Sequence, residues 1–364
     1  MDRIQLLELK KNLLLQIAFL REKISSYKYV HVFVNDKFCK SIVNFINEHF
    51  DPSGHCFFFC GGLPEEQFPL PEGDNIFSCA HPACLCVSDS VSKVIFHGLY
   101  NGAVIEYIRQ RPEIMAKSYW IPWGGDLHDV PSSPVGDYVR RNFQGVAANA
   151  YTKEIYQQKH GEGKVFFPFS MTYQSIEFDR IITTPIPKKQ YIQIQVNNSA
   201  HPSTLEALYS LKKFKDENIV VTTILSYGMT EWSYKIENEG KRIFGDKFRP
   251  ILKYIPKENY VKLLARNDIY ILNQQRPQGM TTAFTSMLLG QKVFMRGDIS
   301  EYLHDEGYTL YDTRSLPELS LEQLIDNPAK EENKRLAAGR FDPVFQKQCW
   351  QNIFEYEPPM PSDS

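Results

Sequence analysis

Residues 191–211 read YIQIQVNNSAHPSTLEALYSL, and they contain the repeating unit from which the fold can be worked out. The β-branched and aromatic run Tyr191–Val196 predicts a strand. The next residues are small and polar, and the apolar positions of Ser203–Leu211 recur at helical spacing. A strand, a short polar loop and a helix, repeated along a chain, indicate a parallel sheet covered by helices.

The same alternation continues on both sides of this unit. Towards the C-terminus, further strands are predicted at Ile219–Ile224, Lys253–Ile255, Ile269–Leu272 and Lys292–Met295. Towards the N-terminus, they are predicted at Tyr29–Val34, His55–Cys60, Val94–Phe96 and Ser118–Ile121. The fold class is therefore α/β, with two Rossmann-like, doubly wound domains facing a cleft.

The domain boundaries follow from composition. The expected order is an N-terminal helical extension over 1–28, a first domain over 29–182, a linker over 183–190, a second domain over 191–340, and a C-terminal helix and tail over 341–364. The linker is placed at TTPIPKK, which has two prolines and no periodicity. In doubly wound sheets the ligand lies at the carboxyl ends of the strands, so the loops there are the first places to look for chemistry.

Charge and composition exclude several classes. The 364 residues include 41 Lys and Arg against 43 Asp and Glu, so no basic field attracts nucleic acid. The apolar run Asn12–Leu20 is too short for a membrane span, which needs roughly 20 residues, and no cleavage site follows it. Seven cysteines, mostly in apolar strands, indicate free thiols and a cytoplasmic protein.

The first helix, over residues 3–25, has two interpretations. Apolar residues such as Leu14 and Ile17 fall on one side, with lysines and arginines elsewhere. The helix either packs on the first domain or lies on a membrane surface, where Lys10, Lys11 and Lys23 would meet lipid headgroups.

Three loops of the second domain are candidates for nucleotide-sugar binding. In the loop after Tyr191–Val196 the candidates are Asn198, Ser199 and Ser203, beside a helix start that favours a diphosphate. Ser203 or Thr204 can cap this helix, and the alternative to a phosphate site is an ordinary capped strand–helix turn. After Ile219–Ile224, Tyr227 can stack on a base or sugar and Gly228 allows close approach, unless they are a turn glycine and a surface tyrosine.

The third loop, NQQRPQGMTT at 273–282, carries the strongest donor-site signal. Arg276 can hold a phosphate with two parallel hydrogen bonds. Gln274 and Gln278 can bond sugar hydroxyls or an acetamido group, and Gly279, Thr281 and Thr282 open a helix. The alternative is a solvated loop before a capped helix.

The first domain supplies candidates for catalysis and acceptor binding. Asp126, in the WGGDL turn after a strand, can take a proton from an attacking hydroxyl, or else is a helix cap. His97 is the second base candidate, although a single histidine after a strand is more often structural. Asp36, Asn101 and Trp123 are expected on the same rim and are assigned to the acceptor.

The sequence predicts neither a metal nor a cofactor. The cysteines include no Cys-x-x-Cys pair, and there is no Asp-x-Asp triplet to hold a divalent cation at a diphosphate. The G-x-G-x-x-G fingerprint of a nicotinamide-dependent epimerase is missing as well.

Taken together, these motifs resemble those of glycosyltransferase family 56, the bacterial TDP-N-acetylfucosamine:lipid II N-acetylfucosaminyltransferases of enterobacterial common antigen synthesis. The resemblance runs from about Tyr29 to Tyr356. The stretches that carry it are HVFVND (31–36), FHGLYN (96–101), WGGDL (123–127), NNSAHPS (197–203) and RPQGMTT (276–282).

The resemblance implies a GT-B architecture, with the acceptor bound mainly by the first domain and the nucleotide sugar mainly by the second. It implies a metal-independent transfer from a dTDP-sugar, 4-acetamido-4,6-dideoxygalactose, to a polyprenyl-diphosphate-linked saccharide at the cytoplasmic face of the inner membrane. The alternatives are a transferase of the same fold that uses a UDP- or GDP-sugar, and a non-catalytic scaffold of polysaccharide assembly.

Overall fold

The computed structural model describes residues 3–85, 87–128, 133–170, 190–275 and 278–358. The chain divides into two compact units. The first is Met1–Tyr173 together with Gln346–Ser364, and the second is Gln174–Phe345. The predicted linker lies outside the described residues, apart from Gln190.

The first unit is built on one parallel sheet. Its strands are β1 (Tyr29–Asn35), β2 (His55–Gly62), β3 (Ile76–Ser78), β4 (Lys93–His97), β5 (Ser118–Ile121), β6 (Gly145–Ala148) and β7 (Val165–Pro168). Its helices are α1 (Arg3–Ile24), α2 (Cys39–His49), α3 (Gly102–Arg109), α4 (Pro112–Met115), α5 (Gly125–His128), α6 (Pro134–Asn142) and α7 (Ala150–His160). The strand order is β3-β2-β1-β4-β5-β6-β7, so the direction of winding reverses between β1 and β4.

The second unit repeats the plan. Its strands are β8 (Ile192–Val196), β9 (Ile219–Ile224), β10 (Phe248–Ile251), β11 (Ile269–Leu272), β12 (Lys292–Met295) and β13 (Tyr311–Asp312). Its helices are α8 (Ser203–Leu211), α9 (Ser233–Phe244), α10 (Lys257–Leu264), α11 (Met280–Leu288), α12 (Asp298–Asp305), α13 (Leu321–Ile325) and α14 (Lys330–Phe341). The order is β10-β9-β8-β11-β12-β13, and the winding reverses between β8 and β11.

Both sheets are covered on two faces, which explains why their central strands are apolar throughout. In β2 the side chains from His55 to Cys60 are all buried, and all four residues of β11 are buried. The last helix, α15 (Pro343–Phe354), places Trp350 and Phe354 in the core on one face of the first sheet. The C-terminal segment therefore completes the first unit, a choice that the sequence left open.

One predicted strand is wrong. Lys253–Ile255 is not extended into the sheet, and the third strand of this unit is instead β10, at Phe248–Ile251. β10 contains Pro250 and lies at the sheet edge, where a missing backbone N–H costs no ladder hydrogen bond.

Candidate active site

In the second unit, the loops that follow β8 and β11 are joined at the point where the strand order reverses. Asn197 has a left-handed backbone (φ +50°), and its side chain joins three segments. Its Oδ1 accepts from the backbone N–H of Asn273 at 2.8 Å, and its Nδ2 donates to the Thr204 hydroxyl at 2.9 Å. One buried amide thus fixes the β8–α8 loop against the β11–α11 loop.

Helix α11 begins beside this junction with an open N-terminus. Gly279 precedes the helix in the left-handed conformation (φ +80°), and no described side chain caps the first turn. Thr281 is exposed, whereas Thr282 is buried and its hydroxyl lies 3.0 Å from that of Tyr260. The backbone N–H groups of this turn and the helix dipole favour an anion here.

Asn198 lies directly against Gly279. A Cβ at position 279 would come within 2.6–2.7 Å of three side-chain atoms of Asn198, so only glycine fits. The Oδ1 of Asn198 is buried without a hydrogen-bond partner among the described residues, and so is the Oε1 of Gln274. These two oxygens are acceptors that a bound ligand can satisfy.

Ser199 connects two glutamines of the other loop. Its hydroxyl, in a side chain only 1% exposed, lies 3.2 Å from the Nε2 of Gln274 and 3.2 Å from that of Gln278. Both amides donate, so the hydroxyl keeps its own proton for a further bond. The structure therefore brings together the sequence-predicted Asn198, Ser199, Gln274, Gln278 and Gly279.

Tyr227 and Gly228 lie beside the same loop. Gly228 (φ +97°) pairs with Ala200 in a parallel bridge, and a Cβ there would lie 2.7 Å from the Ala200 carbonyl oxygen. The neighbouring Tyr227 is 46% exposed. Glycine is required here for packing, and the tyrosine ring remains accessible at the β8–α8 loop.

Ser203 and Arg276 differ from the other predicted donor residues. Ser203 is 4% exposed and its hydroxyl lies 2.7 Å from His201 Nδ1. The expectation that Ser203 or Thr204 caps α8 is wrong, because the N-cap residue is Pro202, which makes no side-chain cap, and the Thr204 hydroxyl accepts from Asn197. Arg276 lies outside the described residues.

In the first unit, three unsatisfied polar atoms follow three adjacent strands. Asp36 Oδ1 after β1, His97 Nδ1 at the end of β4 and Trp123 Nε1 after β5 are buried, with no hydrogen-bond partner among the described residues. Burial also raises the pKa of Asp36. One sheet edge thus carries a hydrogen-bond donor, a hydrogen-bond acceptor and a titratable ring nitrogen. The hydroxyl groups of an acceptor sugar can form hydrogen bonds with all three.

Aromatic rings line the same edge. The Trp123 ring lies 5.8 Å from that of Phe38 and 6.5 Å from that of Tyr100, and both of these side chains are partly exposed. Gly98 (φ +72°) permits this packing, since a Cβ there would lie 2.8 Å from the Tyr100 ring. Stacking surfaces beside polar groups suit the apolar faces of a sugar.

Asp126 is held more tightly than a base usually is. Its side chain is 1% exposed, and it accepts from the backbone N–H of Leu99 (2.8 Å), the indole of Trp120 (2.9 Å) and the backbone N–H of Trp123 (2.8 Å). Burial raises the pKa of Asp126 to about 6, against the opposing effect of these bonds. This carboxylate fixes the loops that carry Leu99 and Trp123, and its role as base stays a prediction.

Asn101 is the N-cap of α3. Its Oδ1 accepts from the backbone N–H groups of Ala103 and Val104, and its Nδ2 donates to the Cys60 carbonyl at 3.1 Å. The side chain is therefore engaged within the protein, and its contact with an acceptor stays a prediction.

Sequence reasoning missed the partners of His97. Its Nε2 lies 3.0 Å from Nδ1 of His31, whose Nε2 lies 3.1 Å from Nδ1 of His55. Burial lowers the pKa of His31 and His97 well below the ordinary value and that of His55 to about 4, so all three rings are neutral at pH 7. Their contact depends on the order β2-β1-β4, which no local pattern reveals.

Comparison with solved structures confirms the predicted fold class. Sucrose-phosphate synthase from Thermosynechococcus elongatus matches with a TM-score of 0.63 at 10% identity, over 90% of this chain and 99% of that one. The E. coli trehalose-6-phosphate structure bound with UDP-2-fluoro glucose matches with a TM-score of 0.61 at 10% identity, over 91% and 100%. A glycosyltransferase from Rickettsia africae matches with a TM-score of 0.61 at 10% identity, over 91% and 98%.

Two doubly wound units, with polar loops at the reversal of each sheet, define the GT-B fold class. No curated protein sequence matches the chain. The family model of the 4-alpha-L-fucosyltransferases, glycosyl transferase group 56, matches residues 83–296, which is more than half of the chain. The chain belongs to this family, as its motifs predicted, and is a glycosyltransferase.

Proposed function

We propose that the enzyme transfers 4-acetamido-4,6-dideoxygalactose from a dTDP-sugar to a polyprenyl-diphosphate-linked saccharide. The observation that carries the proposal is the open N-terminus of α11 beside Asn198 and Ser199, in a chain of the group 56 family. The family description names a fucosyltransferase, and fucose, like the proposed sugar, is a 6-deoxyhexose.

The diphosphate would lie at the first turn of α11. The N–H groups of this turn would stabilise the negative charge that develops as the bond between sugar and phosphate breaks, and the Arg276 guanidinium would add a bidentate partner. A helix N-terminus and an arginine can together replace a divalent cation, so we expect turnover to persist in EDTA.

Ser199 and the two glutamines would bind the sugar, and His97 would act as the catalytic base. The Ser199 hydroxyl offers a donor for the hydroxyl and acetamido groups, and the Oε1 of Gln274, which has no partner within the described part of the chain, offers an acceptor. Among the base candidates, His97 has a buried ring nitrogen with no hydrogen-bond partner among the described residues, whereas Asp126 already accepts three hydrogen bonds. The geometry therefore favours His97 as base and Asp126 as the group that holds its loops.

Release of dTDP from purified enzyme, dTDP-sugar and lipid-linked acceptor tests the proposal. Replacing Arg276 by alanine should cost on the order of 2–4 kcal/mol of transition-state stabilisation, which is a loss of roughly 30- to 1000-fold in kcat/KM. Arg335→Ala, an exposed arginine of α14 paired with Glu332, is the matched control and should leave turnover unchanged. Wild-type turnover by Arg276→Ala would contradict the donor site, and faster turnover with a UDP- or GDP-sugar would favour the alternative donors.

The acceptor proposal requires contact with a lipid surface, for which α1 is the candidate. Leu14, Leu15 and Phe19 are 57%, 60% and 55% exposed, and Lys10 and Lys11 are exposed as well. Apolar side chains beside lysines are typical of a helix that lies on an anionic membrane. Among the helices that the structure describes, none combines the length and the apolar character that a bilayer crossing requires.

A further inference from the structure

Three histidines form an unbroken hydrogen-bonded row inside the first unit. His97 Nε2 lies 3.0 Å from His31 Nδ1, and His31 Nε2 lies 3.1 Å from His55 Nδ1. All three side chains are buried, with exposures of 0%, 0% and 3% for His31, His97 and His55. One end of the row, His97 Nδ1, has no hydrogen-bond partner among the described residues.

The row runs from one end of the sheet to the other. His97 is the last residue of β4 and pairs with Phe33 on β1, whereas His55 is the first residue of β2 and pairs with Tyr29. The row therefore begins at the carboxyl ends of the strands, beside the proposed acceptor site, and ends near their amino ends. Four residues of β1 separate these two levels, or about 13 Å.

Aromatic rings enclose the row and keep the imidazoles in place. The ring centroids of Phe33 and His97 are 4.0 Å apart, and those of Phe57 and His31 are 4.9 Å apart; both pairs are stacked. The ring centroid of Phe354 lies 4.7 Å from that of His55. The titratable groups around it are Tyr29, whose ring lies 4.9 Å from that of His55, Lys93, which donates to the Phe354 carbonyl, and Asp51, which acts on the charge of His55. No carboxylate lies within the row itself to stabilise an imidazolium.

A row of neutral imidazoles can pass a proton without holding a buried cation. Each ring has one N–H and one lone pair, so a proton that arrives at one end displaces the next N–H proton along the row. In the starting tautomer, His97 donates to His31, His31 donates to His55, and His97 Nδ1 carries a free lone pair. A lone base at this position would instead become an imidazolium in a site that disfavours charge.

We propose that His97, His31 and His55 form a proton relay that carries the acceptor hydroxyl proton from the sugar-transfer site to the opposite end of the first sheet. The relay rests on the proposed function, in which His97 is the base.

Each sugar transfer moves one proton into the row. The acceptor oxygen bonds to the anomeric carbon, the bond to the diphosphate oxygen breaks with its electron pair, and the hydroxyl proton moves to His97 Nδ1. The Nε2 proton of His97 passes to His31 Nδ1, that of His31 passes to His55 Nδ1, and the Nε2 proton of His55 passes to water. When product has left, the reverse shifts restore the row. His55 Nε2 takes a proton from water, the Nδ1 protons of His55 and His31 return to His31 Nε2 and His97 Nε2, and His97 Nδ1 gives its proton to water in the emptied site.

Single-turnover kinetics of the full-length enzyme test the relay, with dTDP-sugar, lipid-linked acceptor and mixtures of H₂O and D₂O. His31→Gln is the informative variant, because glutamine can still donate to one neighbour and accept from the other but cannot pass a proton on. We expect wild-type folding by calorimetry, an unchanged KM for dTDP-sugar and a rate lower by roughly tenfold or more. The dependence of rate on deuterium fraction should change from curved, with several protons in motion, to linear.

Three further variants complete the test. Tyr29→Phe removes a hydroxyl that bonds the Phe354 carbonyl in the same layer, and it should keep the wild-type rate and curvature. Should His31→Gln not fold, His55→Gln at the end of the row is measured by the same readouts. A folded His31→Gln or His55→Gln enzyme with the wild-type rate and curvature would overturn the relay.

His97→Gln separates the relay from the proposed function. Loss of turnover in His97→Gln, together with wild-type behaviour of His31→Gln, would leave His97 as base and remove only the relay. Normal turnover by His97→Gln would contradict the base assignment, and the relay with it.

Discussion

At the scale of single residues, Gly279 is a position of the proposed donor site where a larger side chain does not fit. Alanine there would combine a left-handed backbone with contacts of 2.6–2.7 Å to Asn198, and it would displace the residue beside the open end of α11. We expect Gly279→Ala to weaken dTDP binding at least tenfold, measured by titration calorimetry.

Gly307→Ala is the matched control for this change. Its backbone is also left-handed (φ +94°), but the nearest atom to a Cβ there is a Leu336 methyl at 3.6 Å. Both variants carry backbone strain of roughly 1–2 kcal/mol, but only Gly279→Ala should weaken dTDP binding. Equal affinities of the two variants would show that the α11 start does not contact the nucleotide.

Asp126 gives a prediction that separates stability from catalysis. All three of its partners are donors, so Asp126→Asn turns an amide N–H towards groups that can only donate. We expect a loss of about 1–3 kcal/mol in the free energy of unfolding, measured by urea titration. If His97 is the base, the enzyme that remains folded should keep a pH profile of wild-type shape. Loss of the acidic limb, on which the rate falls as the base becomes protonated, would instead identify Asp126 as the base.

Single residues were predictable where the chemistry is local. The polar side chains and the glycine of the loop NQQRPQGMTT are visible in the sequence itself. As predicted, Gln274 and Gln278 of this loop lie close to Asn198 and Ser199. The histidine row was not predictable, because it depends on which strands are neighbours. The role of Asn101 could not be predicted from the sequence either, because an asparagine can cap a helix or contact a ligand with the same side-chain groups.

Among the helices, α1 combines a core role with a surface role. Leu20 and Ile24 are buried in the first unit, so deleting the helix would also damage the fold. Replacing the exposed Leu14, Leu15 and Phe19 by serine should preserve the melting temperature and abolish co-sedimentation with anionic vesicles. Tyr234→Ser, at a side chain 76% exposed on α9, is the control. Undiminished sedimentation of the triple variant would refute the membrane role of α1.

The accuracy of the strand predictions depended on position in the sheet. Central strands such as Ile219–Ile224 and Ile269–Leu272 were predicted with the observed bounds, because burial on both faces demands a continuous apolar run. Edge strands β10 and β13 were not predicted, since they need fewer buried side chains and β10 even contains a proline. In the second sheet, the edges are thus where the sequence reveals least.

For the molecule as a whole, buried histidines set the pH dependence of stability. Burial lowers the pKa of His31 and His97, and lowers those of His55 and His160 to about 4. Below about pH 6.5 the unfolded chain binds protons that the folded chain does not, so stability should fall as the pH drops from 6.5 towards 4. Asp126, with its pKa raised to about 6, and Asp36, whose pKa burial also raises, oppose this trend.

Urea unfolding at pH 7 and at pH 4.5 measures this effect. The lowered pKa of His55 corresponds to about 3 kcal/mol of unfolding free energy when its effect is complete. The variant His55→Gln should therefore show a smaller loss of stability between pH 7 and pH 4.5. His81→Gln is the control, at an exposed ring in the first unit. A stability that stays constant or rises on acidification would mean that the buried histidines are not neutral in the folded chain.

A crystal structure of the enzyme with dTDP, grown in EDTA, would show whether the second unit binds a nucleotide diphosphate at the first turn of α11. The account predicts phosphate oxygens within hydrogen-bond distance of the backbone N–H groups of Thr281 and Thr282, close to Asn198 and Ser199. A nucleotide bound away from the start of α11, or bound only when magnesium is added, would contradict it.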